Sequence, residues 1–528
     1  MPRPNHGAFI QAVVGADADR LPHWQQVYRA VRHAIDSGTL AAGARLPSAR
    51  QLARDWQVSR GAVDEAFDQL QAEGRLQRRV GDGSYVGGPL PPPPQPSPAP
   101  KAARPAAARR QAPHRESAWV ARPLPPLHPR ATAIDAFPLE RWRRLMLQAH
   151  AEGQRDALVD AAPRGLPELR AAVARHVCRQ RGLDCTADQV FVVDSPARGI
   201  ALVARVLLEP GDAVWVEDPG HPSMPSLLES LGARVCGVPL DDQGFDLGSA
   251  LALEPAARLA YLHPLAQYPL AQRTSPARAC ALLDWAVRCR GWVVEGSFND
   301  ELVRAPEPAL MARSRDDRVL LLGTFEGVMF PSLRVAYLIV PSSLVPAFDR
   351  VRAVQGHHTA RGAQWALARF IDGGHLEAHL RELRARLSRQ RVLLREALSW
   401  LLPPAVRVGP LDGAGHFCLH LPRALRDQDL AAQLARQGIV VEPLSGLAWR
   451  AGSPAGRVGA GAPGRSAAGA AAEAADRLNG LVVGHAGWDL QTLEAGLRLI
   501  GATLAAALQA QATGPRRQAA YQPSGENT

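Results

Sequence analysis

The amino-acid sequence predicts an α/β protein in which a small helical unit precedes a larger unit built on a mainly parallel sheet. Three observations predict this class: helical spacing and a hairpin signal in residues 21–87, a Pro/Ala/Arg-rich stretch in residues 88–132, and alternating strands and helices in residues 133–512. A chain of 528 residues exceeds the length of one ordinary core, so more than one domain is expected. Residues 1–20 are predicted to be an N-terminal extension and residues 513–528 a disordered tail.

The first unit has the pattern of three helices and a β-hairpin. Its first helix is predicted from apolar residues that recur at helical spacing: Trp24, Val27, Tyr28, Val31 and Ile35. Ser48 and Ser59 are N-cap candidates for a second and a third helix, and Gly74 is a stop signal for the third. Two short extended runs joined by residues 81–83 then indicate a hairpin. This order of elements is that of a winged helix-turn-helix.

The stretch at residues 88–132 is predicted to be a linker, because its consecutive prolines favour an extended spacer. It holds a local excess of cations over acids: Lys101, Arg104, Arg109, Arg110, Arg115, Arg122 and Arg130 against Glu116. Contact with DNA and simple solvation of a linker both explain this excess. A second biased stretch, residues 453–475, is predicted to be a flexible insertion.

The second unit contains six apolar runs without polar alternation: residues 189–194, 213–218, 258–263, 292–296, 318–323 and 334–340. Helical stretches separate these runs. Strands of this kind are typical of a parallel sheet that is buried on both faces. After about residue 345 the pattern becomes helix-rich and then mixed, which predicts a smaller α+β subdomain at the C-terminal end.

Composition restricts the partners and the compartment. The net charge of +11 and the pI of about 10.1 suit a partner that carries phosphates. Six cysteines occur without a C-x-x-C pair, which favours reduced thiols in a cytosol and predicts neither a disulfide framework nor a metal site. No run approaches the ~18 apolar residues of a membrane helix, and the N-terminus lacks the signal-peptide pattern. We therefore expect a soluble cytoplasmic protein that does not contact a membrane.

Residues 40–87 resemble the winged helix of the GntR superfamily of bacterial regulators. The matching marks are Gly43, Leu46, Pro47, Ser48, Arg50, Leu52, Ala53, Val58, Ser59, Arg60, Val63, the LQAEG stretch ending at Gly74, and the wing glycines. The resemblance implies that double-stranded DNA is bound by a set of residues on one face: Ser48, Arg50, Ser59, Arg60, Gly61, Asp64, Arg78, Arg79, Gly81 and Gly83.

The physical chemistry of this set suits DNA. The recognition helix begins after Ser59, so its free N–H groups and positive dipole end can face a phosphate. Arg60 is placed to reach a phosphate or a guanine edge, and the other arginines would hold the DNA backbone. Any one arginine taken alone is equally explained as a solvated charge. Asp64, on the groove-facing side, would repel phosphate but can accept a hydrogen bond from a cytosine amino group.

The second unit resembles fold-type I aminotransferases that use pyridoxal phosphate. It is most similar to the MocR/GabR regulators, which join such a domain to a GntR winged helix. The stretches that carry this resemblance are GLPELRAAVARHV (165–177), LEPGDAVWVEDPGHP (208–222), YPLAQRTSPARACALLDWA (268–286), GWVVEGSFNDE (291–301) and GTFEGVMFPSLRVAYLIVP (323–341).

The positions that carry the chemistry of that family are changed here. Gly327 stands where the resemblance places the Schiff-base lysine, and Lys101 is the only lysine of the chain. Gly296 replaces the acid that pairs with the pyridine nitrogen, Phe298 replaces a tyrosine, and His221 replaces the tyrosine that stacks on the ring. We therefore expect no covalently bound cofactor, no catalytic residue and no transamination.

The phosphate end of the predicted pocket is changed as well. Glu326 stands where the cofactor phosphate would be received, and its charge would repel a dianion. The phosphate-cradling Ser-Gln-Gln run of the family aligns with residues 196–198, and its substrate-binding arginine aligns with Val482. Arg334 is the remaining phosphate-binding candidate, although an ordinary ion pair explains it equally well. At most weak non-covalent binding of pyridoxal phosphate is expected.

These features predict a DNA-binding transcription regulator whose aminotransferase-like domain dimerises and is a candidate sensor of an effector. The expected partners are an operator with two half-sites, a second copy of the chain and an unidentified small molecule. One alternative is a pyridoxal-phosphate-dependent aminotransferase with an appended DNA-binding domain. The presence of a single lysine, Lys101, disfavours this alternative. Another is a constitutive DNA binder whose large domain only dimerises.

Overall fold

The computed structural model describes residues 21–79, 82–87, 124–152, 162–304, 307–356, 359–449 and 478–513. These residues belong to two compact units, one within residues 1–109 and one within residues 110–528. The predictions for the N-terminal extension, the insertion, the tail, Gly81 and most of the linker lie outside the described residues.

The first unit is a winged helix. Its elements are α1 (His23–Asp36), α2 (Ala49–Trp56), α3 (Arg60–Ala72), β1 (Leu76–Arg79) and β2 (Gly83–Val86). The Oγ atoms of Ser48 and Ser59 accept hydrogen bonds from the backbone N–H groups of Gln51 at 3.2 Å and Ala62 at 3.1 Å, so both serines cap their helices as predicted. Apolar side chains of all three helices share one core: Val27, Val31, Leu52, Val63, Phe67 and Leu70.

Strands β1 and β2 pair antiparallel and form the wing. Arg79 is paired with Gly83, whose φ of +115° is rare for any residue with a side chain. The wing turn therefore requires glycine at this position.

The second unit is built on an eight-stranded sheet with the order β3-β10-β9-β8-β7-β4-β5-β6. The strands are β3 (Val190–Val193), β4 (Ala213–Asp218), β5 (Arg234–Asp241), β6 (Gly244–Phe245), β7 (Leu259–Leu262), β8 (Trp292–Ser297), β9 (Val319–Thr324) and β10 (Ala336–Ile339). All six predicted runs are strands of this sheet. Strands β5 and β6 were not predicted, because β5 contains a glycine and a proline and is only partly buried.

The central strands β9, β8, β7, β4 and β5 are parallel, as predicted. Strand β10 is antiparallel to both of its neighbours, β3 and β9, which the predicted parallel arrangement did not include. Residues 325–335 form the connection from β9 to β10, and this segment is too short for the crossover that a parallel neighbour needs.

Helices cover both faces of the sheet. Those of this part of the chain are α4 (Leu139–Glu152), α5 (Pro167–Arg181), α6 (Pro196–Leu207), α7 (Ser223–Ser230), α8 (Leu247–Leu253), α9 (Pro276–Arg288), α10 (Leu310–Arg313), α11 (Val345–Gln355) and α12 (Arg361–Asp372). Successive residues of β3 enter different cores, because Val190 and Val192 pack with α5 and α12 while Phe191 packs with α6 and α11. This explains why the strands lack polar alternation.

A smaller α+β subdomain follows, as predicted. It contains α13 (His375–Leu401), β11 (Arg407–Val408), β12 (His416–His420), α14 (Asp427–Arg436), β13 (Glu442–Pro443), β14 (Gly480–Gly484) and α15 (Leu490–Thr513). Its four strands pair antiparallel in the order β11-β12-β14-β13. The long helix α13 places Leu380 in the core of the large sheet and Leu394 in the core of the subdomain, so it joins the two.

The predicted linker ends too late at residue 132. Leu127 is fully buried in the core of the subdomain, and its carbonyl accepts from the Gly484 N–H at 2.8 Å. The Pro126 carbonyl accepts from the Val440 N–H at 3.1 Å. The residues that make these contacts are far apart along the chain, so the composition of the linker does not predict them.

Among the helices of the described residues, none is long and apolar enough to cross a membrane. The six cysteines all lie in described segments and are free thiols there. Within the same segments no group of three potential metal ligands occurs.

Candidate DNA-binding face and cofactor pocket

The N-terminal end of α3 presents the predicted recognition residues to solvent. Ser59, Arg60 and Gly61 are exposed, and a side chain added at Gly61 would meet no atom within 4 Å. The Arg60 Nε lies 3.4 Å from the Asp64 Oδ2 one turn later, while 64% of the Arg60 side chain remains exposed. Arg60 can therefore exchange a weak surface ion pair for a DNA contact.

Arg78 has a different environment from the one predicted. Its guanidinium donates to the Asp68 Oδ1 at 2.6 Å and to the Asp64 carbonyl at 3.2 Å, and it lies 3.6 Å from the Asp64 carboxylate. It also lies 5.8 Å from the ring centre of Phe67. Arg78 thus ties the wing to the recognition helix, and its charge is compensated by two acids. That Arg78 holds the DNA backbone stays a prediction.

Two other predicted arginines remain available. Arg50 is exposed near the start of α2, and within the described part of the chain no ion pair engages it. Arg79 is exposed on β1, and its guanidinium stacks on the Tyr85 ring with a separation of 4.6 Å. The stacking orients the side chain and leaves its donors free.

The predicted cofactor residues lie together at one edge of the large sheet. Because β4, β7, β8 and β9 are parallel, their carboxyl ends meet at this edge, which is where open α/β sheets bind ligands. We call it the carboxyl edge, formed by Glu217, His263, Gly296, Phe298, Asn299, Glu326 and Gly327.

The His263 ring fills the space beside Gly296. A Cβ atom added at Gly296 would lie 2.3 Å from the His263 Cδ2 and 2.4 Å from its Nε2. The ring is fixed on both sides, since its Nδ1 lies 3.0 Å from the Glu217 Oε2 and its Nε2 lies 3.0 Å from the Tyr261 hydroxyl. Burial raises the pKa of Tyr261, so that hydroxyl keeps its proton.

The Asn299 side chain fills the space beside Gly327. A Cβ atom added at Gly327 would lie 1.8 Å from the Asn299 Oδ1. Asn299 has a φ of +61° and precedes the short 3₁₀ helix Asp300–Leu302, which fixes its backbone. A side chain at 327 would therefore require the Asn299 side chain to move.

The phosphate end is also occupied by protein groups. The Glu326 Oε1 lies 3.6 Å from an Arg334 nitrogen, so Arg334 takes part in an ion pair while 59% of its side chain is exposed. Burial raises the pKa of Glu326, and Asp194 raises it further, while Arg334 lowers it. At the start of α6 the Ser195 Oγ caps the N–H of Arg198 at 3.4 Å, and Pro196 has no N–H to offer.

His221 and Phe298 line the same region. Phe298 stacks on His263 with 4.8 Å between ring centres, and the His221 ring lies 6.2 Å from the Tyr268 ring. Burial lowers the pKa of His221 to about 4, and Arg130 adds to this shift, so the imidazole is neutral. The Tyr268 hydroxyl donates to Glu442, which Arg130 approaches at 3.2 Å. Val482 is fully buried in β14 and cannot grip a carboxylate.

These residues do not fit pyridoxal phosphate. The positions of its lysine and its pyridine partner are taken by Asn299 and His263, and Glu326 faces the place of its phosphate. Sequence reasoning identified the replaced positions but missed His263, Glu217 and Asn299. No sequence signal marks these residues, because only the folded chain brings them against the two glycines.

A buried ion network lies at the carboxyl end of β8. Arg181, only 4% exposed, binds the Glu295 Oε1 at 2.7 Å, the Ser297 Oγ at 2.8 Å and the Asp300 carboxylate. Burial raises the pKa of Asp300 to about 6, and Arg181 opposes this shift. The network holds the turn that carries Asn299.

Comparison with known proteins agrees with both units. Residues 24–86 match the gntR family of bacterial regulatory proteins, and residues 131–472 match aminotransferase class I and II. The probable rhizopine catabolism regulatory protein MocR of Rhizobium meliloti is 33% identical over 82% of this chain and 88% of its own length. The pyridoxine biosynthesis transcriptional regulator PdxR of Corynebacterium glutamicum is 30% identical over 80% of this chain and 87% of its own.

Solved structures support the fold of the second unit. The kynurenine aminotransferase of Pyrococcus horikoshii superposes with a TM-score of 0.63 and 21% identity over 74% of this chain and 92% of its own. At that identity the likeness concerns the fold alone. The two units together define a transcription regulator that joins a GntR winged helix to an aminotransferase-like domain. The chain belongs to the MocR type of GntR regulators.

Proposed function

We propose that this regulator binds a DNA operator through its winged helix and that its aminotransferase-like domain dimerises without Schiff-base chemistry. The observation that carries the second half is the 1.8 Å approach of the Asn299 Oδ1 to the Cβ position of Gly327. In addition, residues 102–528 contain no lysine, so no other side chain can form the imine.

DNA binding through α3 and the wing is supported by free cations on the exposed surface. Arg60 offers its donors at the N-terminal end of the recognition helix, where the helix dipole adds to its charge. Arg50 and Arg79 supply further positive charge for the backbone. Ser48, Ser59, Gly61 and Gly83 shape this face rather than bind bases. The binding takes place in the bacterial cytoplasm.

Dimerisation is supported by apolar side chains that the single chain leaves exposed at and before α4: Ile134, Leu139 and Leu147. A symmetric pair would present two winged helices, so the operator is expected to hold two half-sites. One chain has a mass of 56.6 kDa, and light scattering at micromolar concentration should give twice this mass. A monomer with footprints of single half-sites would contradict this part of the proposal.

Incubation with pyridoxal phosphate, borohydride reduction and peptide mass spectrometry test the absence of Schiff-base chemistry. We expect no reduced adduct in residues 133–512, while a lysine-dependent aminotransferase treated in parallel is labelled. An adduct mapped inside the domain would support the alternative of a working aminotransferase. Weak reversible binding without an adduct agrees with the proposal.

A further inference from the structure

Three buried acceptor atoms at the carboxyl edge have no hydrogen-bond donor among the described residues. They are the Glu217 Oε1, the Asn299 Oδ1 and the Glu326 Oε1. The three lie in one row, since Glu217 binds His263, His263 abuts Gly296 and Phe298, and Asn299 abuts Gly327 next to Glu326. Buried acceptors without donors are costly, so a ligand that supplies donors would be favoured here.

Glu217 points most directly to a positive ligand. Its side chain is only 4% exposed, and its Oε2 accepts from the His263 ring. Apart from that ring, no cationic side chain of the described residues pairs with Glu217. A buried carboxylate in this state is stabilised by a cation that also donates hydrogen bonds.

The other charges near the row do not offset the carboxylate of Glu217. Glu326 and Asp194 face each other across the predicted phosphate end, where Arg334 pairs with Glu326 at the rim and the buried Arg352 lies close to Asp194. Together with Glu217, three carboxylates thus stand against two arginines. The buried Val482 stands where relatives of this fold grip a substrate carboxylate, so an acidic group on the ligand would have no partner.

We propose that the carboxyl edge binds a small organic cation with amino or guanidino groups and without an acidic group, as the effector of the regulator. Only the role of this ligand as an effector rests on the proposed function. Binding itself rests on the three acceptors, of which two are carboxylates and one is a neutral amide oxygen. The site has therefore reversed its sign, from one that receives a phosphate to one that receives a cation.

Isothermal titration calorimetry of the full chain without DNA tests the site. The probe is putrescine, with butanediol as the neutral control of equal length and succinate as the anionic control. We expect saturable binding of putrescine and no binding of the two controls. In the Glu326→Gln and Glu217→Gln variants, putrescine should bind roughly ten- to a hundredfold more weakly, as expected for loss of a charged hydrogen-bond partner.

Glu494→Gln is the matched control, because Glu494 is exposed on α15 and pairs only with Arg498 one turn away. It should leave putrescine affinity unchanged. Glu217→Gln could disturb the fold, so the comparison of Glu326→Gln with Glu494→Gln is decisive. Equal binding of putrescine and butanediol, no putrescine binding at millimolar concentration, or equal effects of the two variants would overturn the site. Operator binding is measured separately by gel shift. Absence of operator binding would overturn the proposed function and would leave the result of the titration valid.

Discussion

Arginine and carboxylate side chains are arranged differently in the two units. In the winged helix, Arg50 and Arg60 are exposed, and Arg60 meets only one acid in a surface pair at 3.4 Å. In the aminotransferase-like unit, Arg181 is buried and engaged by Glu295 and Asp300. Exposed charges can be transferred to a partner at small cost, whereas buried charges hold the fold together. The difference separates a surface that we propose binds DNA from an interior whose charges pair with one another.

The carboxyl edge shows the same contrast within one unit. The apolar side chains that pack the sheet against its helices form large buried cores on both faces. At Gly296 and Gly327, which the family resemblance assigns to the cofactor site, neighbouring side chains occupy the space beside the backbone. The residues that pack this fold are therefore not the residues of the predicted site.

The largest effect should come from removing the buried arginine. Arg181→Met leaves Glu295 and Asp300 without their cation, and we expect a loss of about 3–5 kcal/mol in the free energy of unfolding. Urea denaturation followed by circular dichroism measures it. Arg175→Met on the same helix is the control, since Arg175 is half exposed and pairs with Asp372 at 2.7 Å. It should cost only about 0–1 kcal/mol, and equal losses in both variants would contradict the comparison.

Acid should destabilise the aminotransferase-like unit. Burial lowers the pKa of His416 to about 4 and of His485 to about 3. Their folded-state pKa values lie below the unfolded value, so their contribution is complete above pH ~6.5 and is lost as the pH falls, by roughly 2 kcal/mol each at pH 5. Asp300 acts in the opposite direction and offsets part of this, because its raised pKa of about 6 favours the folded chain as the pH falls.

Urea denaturation at pH 7 and pH 5 measures this dependence. His485→Asn keeps a donor for the Gln390 side chain, which the histidine contacts at 3.1 Å, but does not titrate. The difference in unfolding free energy between the two pH values should shrink by roughly 2 kcal/mol in this variant. An unchanged difference would show that His485 is protonated in the folded chain.

A single methyl group should reveal how tightly the carboxyl edge is filled. Gly296→Ala places a Cβ 2.3 Å from the His263 ring, and we expect a loss of about 1–3 kcal/mol in unfolding free energy. Gly248→Ala is the control, because its nearest neighbour is the Asp246 Oδ1 at 3.4 Å. The control should keep or slightly raise the melting temperature. If Gly296→Ala did the same, the His263 ring would not fill the space beside Gly296.

The remaining changes concern DNA affinity. Arg60→Ala should weaken operator binding by about 1–3 kcal/mol if Arg60 contacts a guanine. Arg50→Ala should weaken specific and non-specific DNA alike and lower the salt slope by about one, because it would remove one phosphate contact. Arg143→Ala, an exposed arginine of α4 paired with Glu140, is the control and should leave binding unchanged. Gel shifts at two salt concentrations separate these outcomes, and unaltered affinity in all three variants would refute the proposed DNA-binding face.

The sequence determined the winged helix almost completely. Its caps at Ser48 and Ser59, its helix stop at Gly74 and its wing glycine at Gly83 are local signals, and each acts within a few residues of its own position. The six apolar runs of the large unit were equally clear, because strands buried on both faces leave no polar residue to interrupt them. The prediction that Gly327 stands at the lysine position also needed only the sequence.

Only the tertiary structure decided what occupies the changed positions. The contact of His263 with Gly296 and that of Asn299 with Gly327 join residues on different strands or loops, and no periodicity records them. The same is true of Arg78, whose partners Asp64 and Asp68 lie on the preceding helix, and of Leu127, which packs under β14. Local patterns fix which elements form, because capping and periodicity act over a few residues. Which side chain fills a space is fixed by packing between distant segments, and that exists only once the chain has folded.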